Sequence, residues 1–112
     1  MKTEYKLMIG DGAKMSSGNE VTLSPIIPNG KTVRLREFGG CAPNIGDGKD
    51  GFMGLQWGAG ASWTTVAVGC HEFQRELRRD FQGDGVKRFR LVRMHESATN
   101  RYVIAWLDAV VL

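Results

Sequence analysis

Cysteine and histidine are the residues with which metal or nucleophilic chemistry could begin in this sequence. The candidates are Cys41, Cys70, His71 and His95. Zinc ligands usually recur at short spacings such as C-x-x-C or H-x-x-x-H, and neither spacing occurs here. A cysteine–histidine dyad would lack any flanking signature of a nucleophile. We therefore predict no catalytic residue, no metal site and no cofactor, and the redox state of the two cysteines stays open.

A glycine-rich segment, residues 44–51, is the next candidate for ion or phosphate binding. It holds three oxygen-bearing side chains, the ligand type that calcium prefers. The EF-hand register requires Glu at the twelfth position, where Leu55 stands, and Lys49 adds a positive charge. The glycines also spell G-x-G-x-x-G, but no strand precedes this motif and no helix follows it. We interpret the segment as a polar turn.

Basic residues are concentrated in the second half of the chain. The net charge is only +3, and acidic residues lie among the basic ones. Nucleic-acid binding usually shows a denser basic stripe with aromatic platforms, so we do not expect it. We predict a polar interaction surface, with a solvated face as the equally supported alternative, at Arg75, Arg78, Arg79, Lys87 and Arg88.

Aromatic residues could provide a stacking platform for a sugar ring. Trp57 and Trp63 flank a turn at Gly58–Gly60, and they are the candidates for such a platform if that turn is exposed. Packing in the core is the alternative for both rings.

The bulk properties indicate one ordinary globular domain. The chain has 112 residues, of which 42% are hydrophobic and 24% charged, and this composition argues against disorder. No apolar run approaches the roughly 20 residues that span a membrane. Charged residues interrupt the first ten positions, so we predict no secretory signal and no membrane partner.

Short stretches rich in Val, Thr, Leu and aromatic residues alternate with Gly, Pro, Asn and Asp, as is typical of strands joined by turns. The predicted fold is mainly β: a jelly-roll-like, antiparallel two-sheet sandwich with seven or eight strands. Residues 1–19 are predicted to be an N-terminal strand or flexible arm, and residues 20–112 the sandwich domain. Residues 101–112 are apolar on both faces, so we expect them inside a sheet or at a subunit interface.

Residues 71–81 are ambiguous between helix and strand. Phe73, Leu77 and Phe81 are four residues apart, which is helical spacing, and the segment is rich in good helix formers. A turn at Gly83–Gly85 instead favours a hairpin with the strand that follows, which would place Leu77 opposite Leu91. We predict a strand, with a helix as the alternative.

The order of these signals has a counterpart in a known group of proteins. The segments that carry it are PNGKTVRLREFGG (28–40), GLQW (54–57), FQRELRRDFQGDGVKRFRLV (73–92) and YVIAW (102–106). Together they resemble the small jelly-roll or β-sandwich domains of tailed-phage virion proteins, of head-decoration (cement) or fibre type. The resemblance rests on strand and turn residues, so no functional residue is carried over.

This resemblance implies a non-enzymatic virion structural protein that is made in the host cytoplasm. A capsid decoration protein is the leading expectation. Its implied partners are copies of itself, with a trimer favoured, and the major capsid protein or another virion protein. A carbohydrate- or receptor-binding module of the tail-fibre-tip type is the alternative.

Overall fold

The computed structural model describes residues 3–9, 14–15, 21–42, 52–93, 101–102 and 104–112. These residues form β-strands and connections, with no helix among them and therefore none long and apolar enough to cross a membrane. The strands are β1 (Thr3–Ile9), β2 (Lys14–Met15), β3 (Val21–Leu23), β4 (Thr32–Ala42), β5 (Phe52–Ala59), β6 (Ser62–Gln82), β7 (Arg88–Arg93), β8 (Arg101–Tyr102) and β9 (Ile104–Val111).

Seven of these strands build an antiparallel sandwich of two sheets, as the sequence predicted. One sheet has the order β1-β9-β4-β6, and the other has the order β5-β7-β3. Strand β6 joins them, because its first part (62–70) pairs with β5 and its second part (71–82) pairs with β4. The short strands β2 and β8 pair only with each other.

Alternation of apolar and polar residues decides which side chains fill the space between the sheets. In β4, Val33, Leu35 and Phe38 are buried, while Arg34 between them is exposed. In a strand, successive side chains point to opposite faces, so this pattern turns one face of β4 to the core. The fully buried residues of the core come from both sheets and include Met53, Leu55, Phe89, Leu91, Ala105, Leu107 and Ala109.

Aromatic rings hold the two sheets together. Phe81, on the four-stranded side, lies 5.2 Å from Trp57 and 5.1 Å from Phe89 between ring centroids, and both of these belong to the three-stranded side. Within the four-stranded sheet, Phe38 and Phe73 form a further tilted pair at 4.9 Å. Such pairs add about 0.5–1.5 kcal/mol each beyond the area they bury.

Residues 71–81 resembled a helix in sequence because positions four residues apart share a face in a helix and also in a strand. Leu35 pairs with Arg79 and Glu37 with Glu76, so Leu77 and Arg78 together face the single residue Arg36. The strand carries a bulge there, yet Phe73, Leu77 and Phe81 keep a period of two and all pack against the core. The predicted strand is present, and the helical alternative is wrong.

The predicted hairpin between β6 and β7 is also wrong. Leu77 lies in the part of β6 that pairs with β4, whereas Leu91 pairs with Leu55 of β5 and Thr22 of β3. The residues after Gln82 therefore carry the chain from one sheet to the other rather than closing a two-stranded turn. Gly83 and Gly85 are anchored there by backbone bonds to Lys31 and Ile27.

Strand β9 lies between β1 and β4, hydrogen-bonded on both edges. This confirms that the apolar C-terminal segment lies inside a sheet. Thr3–Ile9 is the edge strand of the same sheet, while the predicted domain boundary at residue 20 stays a prediction.

Candidate interaction surface

A groove on the outer face of the three-stranded sheet combines an aromatic ring, two arginines and exposed aliphatic side chains. We call it the Trp63 groove. Its volume is about 560 Å³. It is lined by Leu23, Ile26, Ala59, Gly60, Trp63, Val86, Arg88 and Arg90.

The β5–β6 hairpin fixes the position of Trp63. Ala59 and Ser62 pair at its end, so only Gly60 and Ala61 form the loop. Gly60 has a φ of 57°, which glycine adopts without the steric cost that a side chain would bring and which suits a tight hairpin turn. The indole Nε1 of Trp63 donates a hydrogen bond to the Gly60 carbonyl oxygen at 2.8 Å. The ring is therefore held against its own turn.

Arg90 lies over the Trp63 ring and is fixed by a chain of polar side chains. Its guanidinium carbon is 4.1 Å from the ring centroid, which is within the range of a cation–π contact. Its Nε donates to Gln56 Oε1 at 2.6 Å, and Gln56 Nε2 donates to Thr65 Oγ1 at 3.2 Å. Partial burial lowers the pKa of Arg90, because desolvation penalises the charged form.

Exposed apolar side chains are gathered at this groove. Among the described residues, four large hydrophobic side chains are exposed, and three of them line it: Leu23 (43%), Ile26 (46%) and Val86 (59%). The fourth is Val68 (40%), on β6 and outside the groove. A contiguous apolar patch on a protein surface typically marks a place of contact with another molecule.

Ser24 ties the β3 side of the groove to β7. It is 2% exposed, and its Oγ accepts a hydrogen bond from the buried Phe89 N–H at 2.9 Å. Its backbone N–H donates to the Phe89 carbonyl oxygen, also at 2.9 Å. Leu23 and Ile26 flank this anchor, so their position relative to Arg88 and Arg90 depends on it.

The two tryptophans predicted as a stacking platform lie on opposite faces of the sheet. Trp57 is turned to the core, with its ring 4.5 Å from that of Phe89. Trp63 is on the outer face and only partly buried. The structure therefore leaves one of the two rings available for a ligand.

The five predicted basic residues are divided between two parts of the sandwich. Arg75, Arg78 and Arg79 are exposed on the part of β6 that pairs with β4. Lys87 precedes β7 and forms an ion pair with Asp84 at 3.9 Å. Arg88 begins β7 and lines the Trp63 groove. Only Arg88 of the five thus belongs to this groove, and a binding role for the others stays a prediction.

The arginines on β6 lie along a sheet edge. Residues 71–82 pair with β4 on one side, and no strand of the described part of the chain pairs with their other side. Charged side chains on such an edge hinder pairing with another chain. Arg78 contacts Glu76 at 3.5 Å, and the Arg79 guanidinium carbon lies 4.7 Å above the Phe81 ring. Protection of the edge accounts for these residues without a ligand.

A larger surface hollow, about 730 Å³, surrounds the bulge at Arg36. Its charges are already matched within the chain. Arg34 contacts Asp80 through two hydrogen bonds of 2.9 and 3.0 Å, which lower the pKa of that carboxyl. Arg78 and Glu76 form a second pair there. The hollow therefore offers a partner less unsatisfied charge than the Trp63 groove does.

The remaining chemical candidates lie partly outside the described residues. Cys41 is a half-buried free thiol on β4. The side chain of Cys70, like residues 44–50 and His95, lies outside the described part of the chain. In the part that is described, no group of three or more His, Cys, Asp or Glu side chains is placed to hold a metal ion.

Comparison with known proteins adds no relative. No protein-family model matches the sequence, and no curated protein matches it. The resemblance to phage virion proteins therefore stays a prediction, and the function must be argued from the surface.

The sequence did contain a signal for the groove. Ile26 and Ile27 stand side by side between Pro25 and Pro28, and adjacent residues of an extended chain point in opposite directions. Both isoleucines could not enter one core. Ile27 is 1% exposed and Ile26 is at the surface.

Proposed function

We propose that this chain is a non-enzymatic structural protein of a phage particle, most specifically a capsid decoration protein, and that it docks on its partner through the Trp63 groove. The observation that carries the proposal is the gathering of Leu23, Ile26 and Val86 around one half-exposed tryptophan. The virion as the place of action rests on the sequence resemblance.

The composition of the groove supports a protein partner. Tryptophan and arginine are enriched in the residues that dominate protein–protein binding energies, and aliphatic side chains around them exclude water. The groove provides all three at one place, on strands β3, β6 and β7 and on the connections beside them, where Ile26 and Val86 lie. Burying the three aliphatic side chains would contribute roughly 25 cal/mol per Å² of apolar surface removed from water.

The protected edge of β6 supports a protein that is present in many copies. A particle component reaches a high local concentration before and during assembly. Exposed charges on residues 72–80 hinder edge-to-edge pairing at such concentrations. Weak docking of each copy would still decorate a particle stably if the copies also contact one another.

The test is binding to particles. Particles of the phage that encodes the chain, prepared without it, are mixed with the purified chain and sedimented, and the bound chain is measured. We expect saturable binding that Ile26→Asp abolishes, because the change places a charge in the apolar rim. Val68→Asp is the matched control, since Val68 is similarly exposed but lies outside the groove.

Two results would contradict the proposal. If the wild-type chain does not sediment with the particles, the virion role fails. If Ile26→Asp and Val68→Asp bind equally well, the groove is not the docking surface. Both variants change an exposed side chain, so their denaturation midpoints serve as the check that each is folded.

Self-association is a separate part of the proposal. We expect a closed homo-oligomer, with a trimer favoured, of the 12.4 kDa chain. Light scattering of the purified protein measures its mass directly. If the protein is a monomer at every accessible concentration, the proposal that it forms an oligomer before binding is wrong. Copies would then contact one another only on the particle surface.

A glycan ligand is the second candidate, and the half-exposed Trp63 ring is the observation that favours it. Trp57 cannot contribute to a platform while its ring contacts Phe81 and Phe89. The aliphatic rim also fits a sugar less well than a protein segment. Quenching or enhancement of tryptophan fluorescence by a sugar, absent in Trp63→Phe, would favour this candidate.

A further inference from the structure

Trp63 and Arg88, which both line the Trp63 groove, come from the strands on either side of β5. Gly58 of β5 pairs with Trp63 on one side and with Arg88 on the other. Directly opposed residues share a face of the sheet, so Trp63 and Arg88 stand as walls on either side of a residue without a side chain. With strands about 4.8 Å apart, the walls rise from backbones about 10 Å apart.

Gly58 is required at this position by the surrounding backbone. A Cβ atom there would lie 2.1 Å from the Ser62 carbonyl oxygen and 2.8 Å from the Trp63 Cα. No larger residue fits without moving the hairpin. Gly58 is buried, and the contact between Arg90 of β7 and Trp63 of β6 spans β5, so this pair covers the backbone and forms the floor of a shallow furrow.

The charge of the furrow is one-sided. In the part of the chain that the structure describes, its lining includes Arg88 and Arg90 and no acidic residue. Among the described residues, neither arginine forms an ion pair with a carboxylate. Arg90 is partly desolvated and is held in place by Gln56 and Trp63. A fixed, partly desolvated guanidinium favours an anionic partner, because charge-assisted hydrogen bonds to a carboxylate replace the lost water.

The second cross-strand row continues this chemistry. Thr65, Gln56, Arg90 and Leu23 lie directly opposite one another across four strands. Arg90 is thus opposite an exposed leucine, while its guanidinium extends the other way, over Gln56 of β5 and the Trp63 ring. A segment lying across this row meets aliphatic surface at Leu23 and positive charge at Arg90.

We propose that the Trp63 groove binds an extended segment of a partner protein in which aliphatic side chains stand next to a carboxylate, with the carboxylate held by Arg88 and Arg90. The aliphatic side chains pack on Leu23, Ile26 and Val86. This inference rests on the proposed function, since it specifies what the docking groove recognises.

Fluorescence anisotropy with labelled synthetic peptides and the full chain tests the inference. One peptide alternates Leu and Glu, a second replaces each Glu by Lys, and a third replaces each Leu by Ser. We expect the first peptide to bind at least about tenfold more tightly than either of the others, because each lacks one half of the match. Binding of the first should weaken as salt concentration rises.

Variants locate the carboxylate contact. Arg88→Gln and Arg90→Gln should each weaken binding of the Leu/Glu peptide about tenfold. The ratio of affinities for the Leu/Glu and Ser/Glu peptides should stay unchanged, because both peptides carry the carboxylates. Arg78→Gln is the matched control, because Arg78 is an exposed arginine on the other sheet. The comparison among peptides needs no variant, so it stands even if one variant is unstable.

The outcomes separate this inference from the proposed function. If the three peptides bind alike, or if Arg78→Gln weakens binding as much as Arg90→Gln, the groove does not recognise a carboxylate. If particles then still bind the wild type and not Ile26→Asp, only the present inference fails. If Ile26→Asp lowers the mass of the free protein, a second copy occupies the groove, and that result also overturns the inference.

Discussion

Replacing Ser24 by Ala isolates one buried hydrogen bond that fixes the rim of the groove. The Ser24 Oγ accepts the Phe89 N–H at 2.9 Å, in place of the carbonyl oxygen that a continuing strand would offer. Pro25 follows directly, and β3 ends at Leu23. No water can replace the lost acceptor easily, because Ser24 is 2% and Phe89 0% exposed.

The magnitude follows from this burial. A buried N–H left without an acceptor costs about 1–3 kcal/mol. The other bond of the hydroxyl, to the Pro25 carbonyl oxygen at 2.9 Å, adds little, because Pro25 is exposed and water can replace it. We therefore expect Ser24→Ala to lower the free energy of unfolding by about 2 kcal/mol, a large share of the 5–15 kcal/mol typical of a domain.

Urea denaturation measures the effect. With a slope of about 2 kcal/mol per molar urea, the midpoint should fall by about 1 M. Ser62→Ala is the control, since Ser62 is exposed, and its free energy of unfolding should stay within about 0.5 kcal/mol of wild type. If Ser24→Ala behaves like Ser62→Ala, the hydroxyl does not hold β3 to β7, and the argument that it sets the rim of the groove is wrong.

Three further predictions test other parts of the structure. Trp57→Ala should lower the free energy of unfolding by about 3 kcal/mol or more and Trp63→Ala by clearly less, because only the first ring packs between the sheets; equal losses in urea denaturation would contradict this. Hydrogen bonds from two backbone N–H groups lower the pKa of Asp84, so the stability they contribute is present above the unfolded-state pKa and is lost as pH falls through the folded-state pKa. Asp84→Asn should therefore lose less stability than wild type between pH 7 and pH 2, as measured by urea midpoints. If both proteins lose the same stability on acidification, the link to Asp84 is wrong. Replacing Arg75 and Arg79 together by Val should produce concentration-dependent association in light scattering, because the β6 edge loses its charges, and an unchanged mass would show that those charges do not protect it.

Local patterns were sufficient to predict most of the strands. Apolar and polar residues alternate in residues 31–38, a pattern that indicates the strand β4, and the apolar C-terminal segment, expected inside a sheet or at a subunit interface, is a strand paired on both edges. The sequence could not predict where β6 pairs. Residues 62–68 and residues 71–81 have the patterns of two separate elements, but they belong to the single strand β6. Nothing local in the sequence distinguishes a strand that ends from a strand that continues into a second sheet.

The errors and omissions have a common physical cause. Pairing of Leu77 with Leu91 was inferred from a nearby turn. The packing of the two sheets instead determines the pairing, so the second part of β6 pairs with β4, and β7 pairs with β5. The Trp63 groove likewise depends on β7 and β3 lying beside the β5–β6 hairpin, although both are distant from it in sequence. Only the adjacent isoleucines Ile26 and Ile27 signalled an exposed apolar position in advance.

The continuity of β6 limits how the length of this chain can vary. Because side chains alternate with a period of two, one residue inserted between the two halves of β6 would exchange the inward and outward faces of one half relative to the other. Either Phe73 and Phe81 of the second half or Val66 and Ala67 of the first half would turn to solvent. We therefore expect insertions and deletions in homologous chains to be rare within residues 62–82. A segment of constant length at this place would anchor the alignment of related sequences.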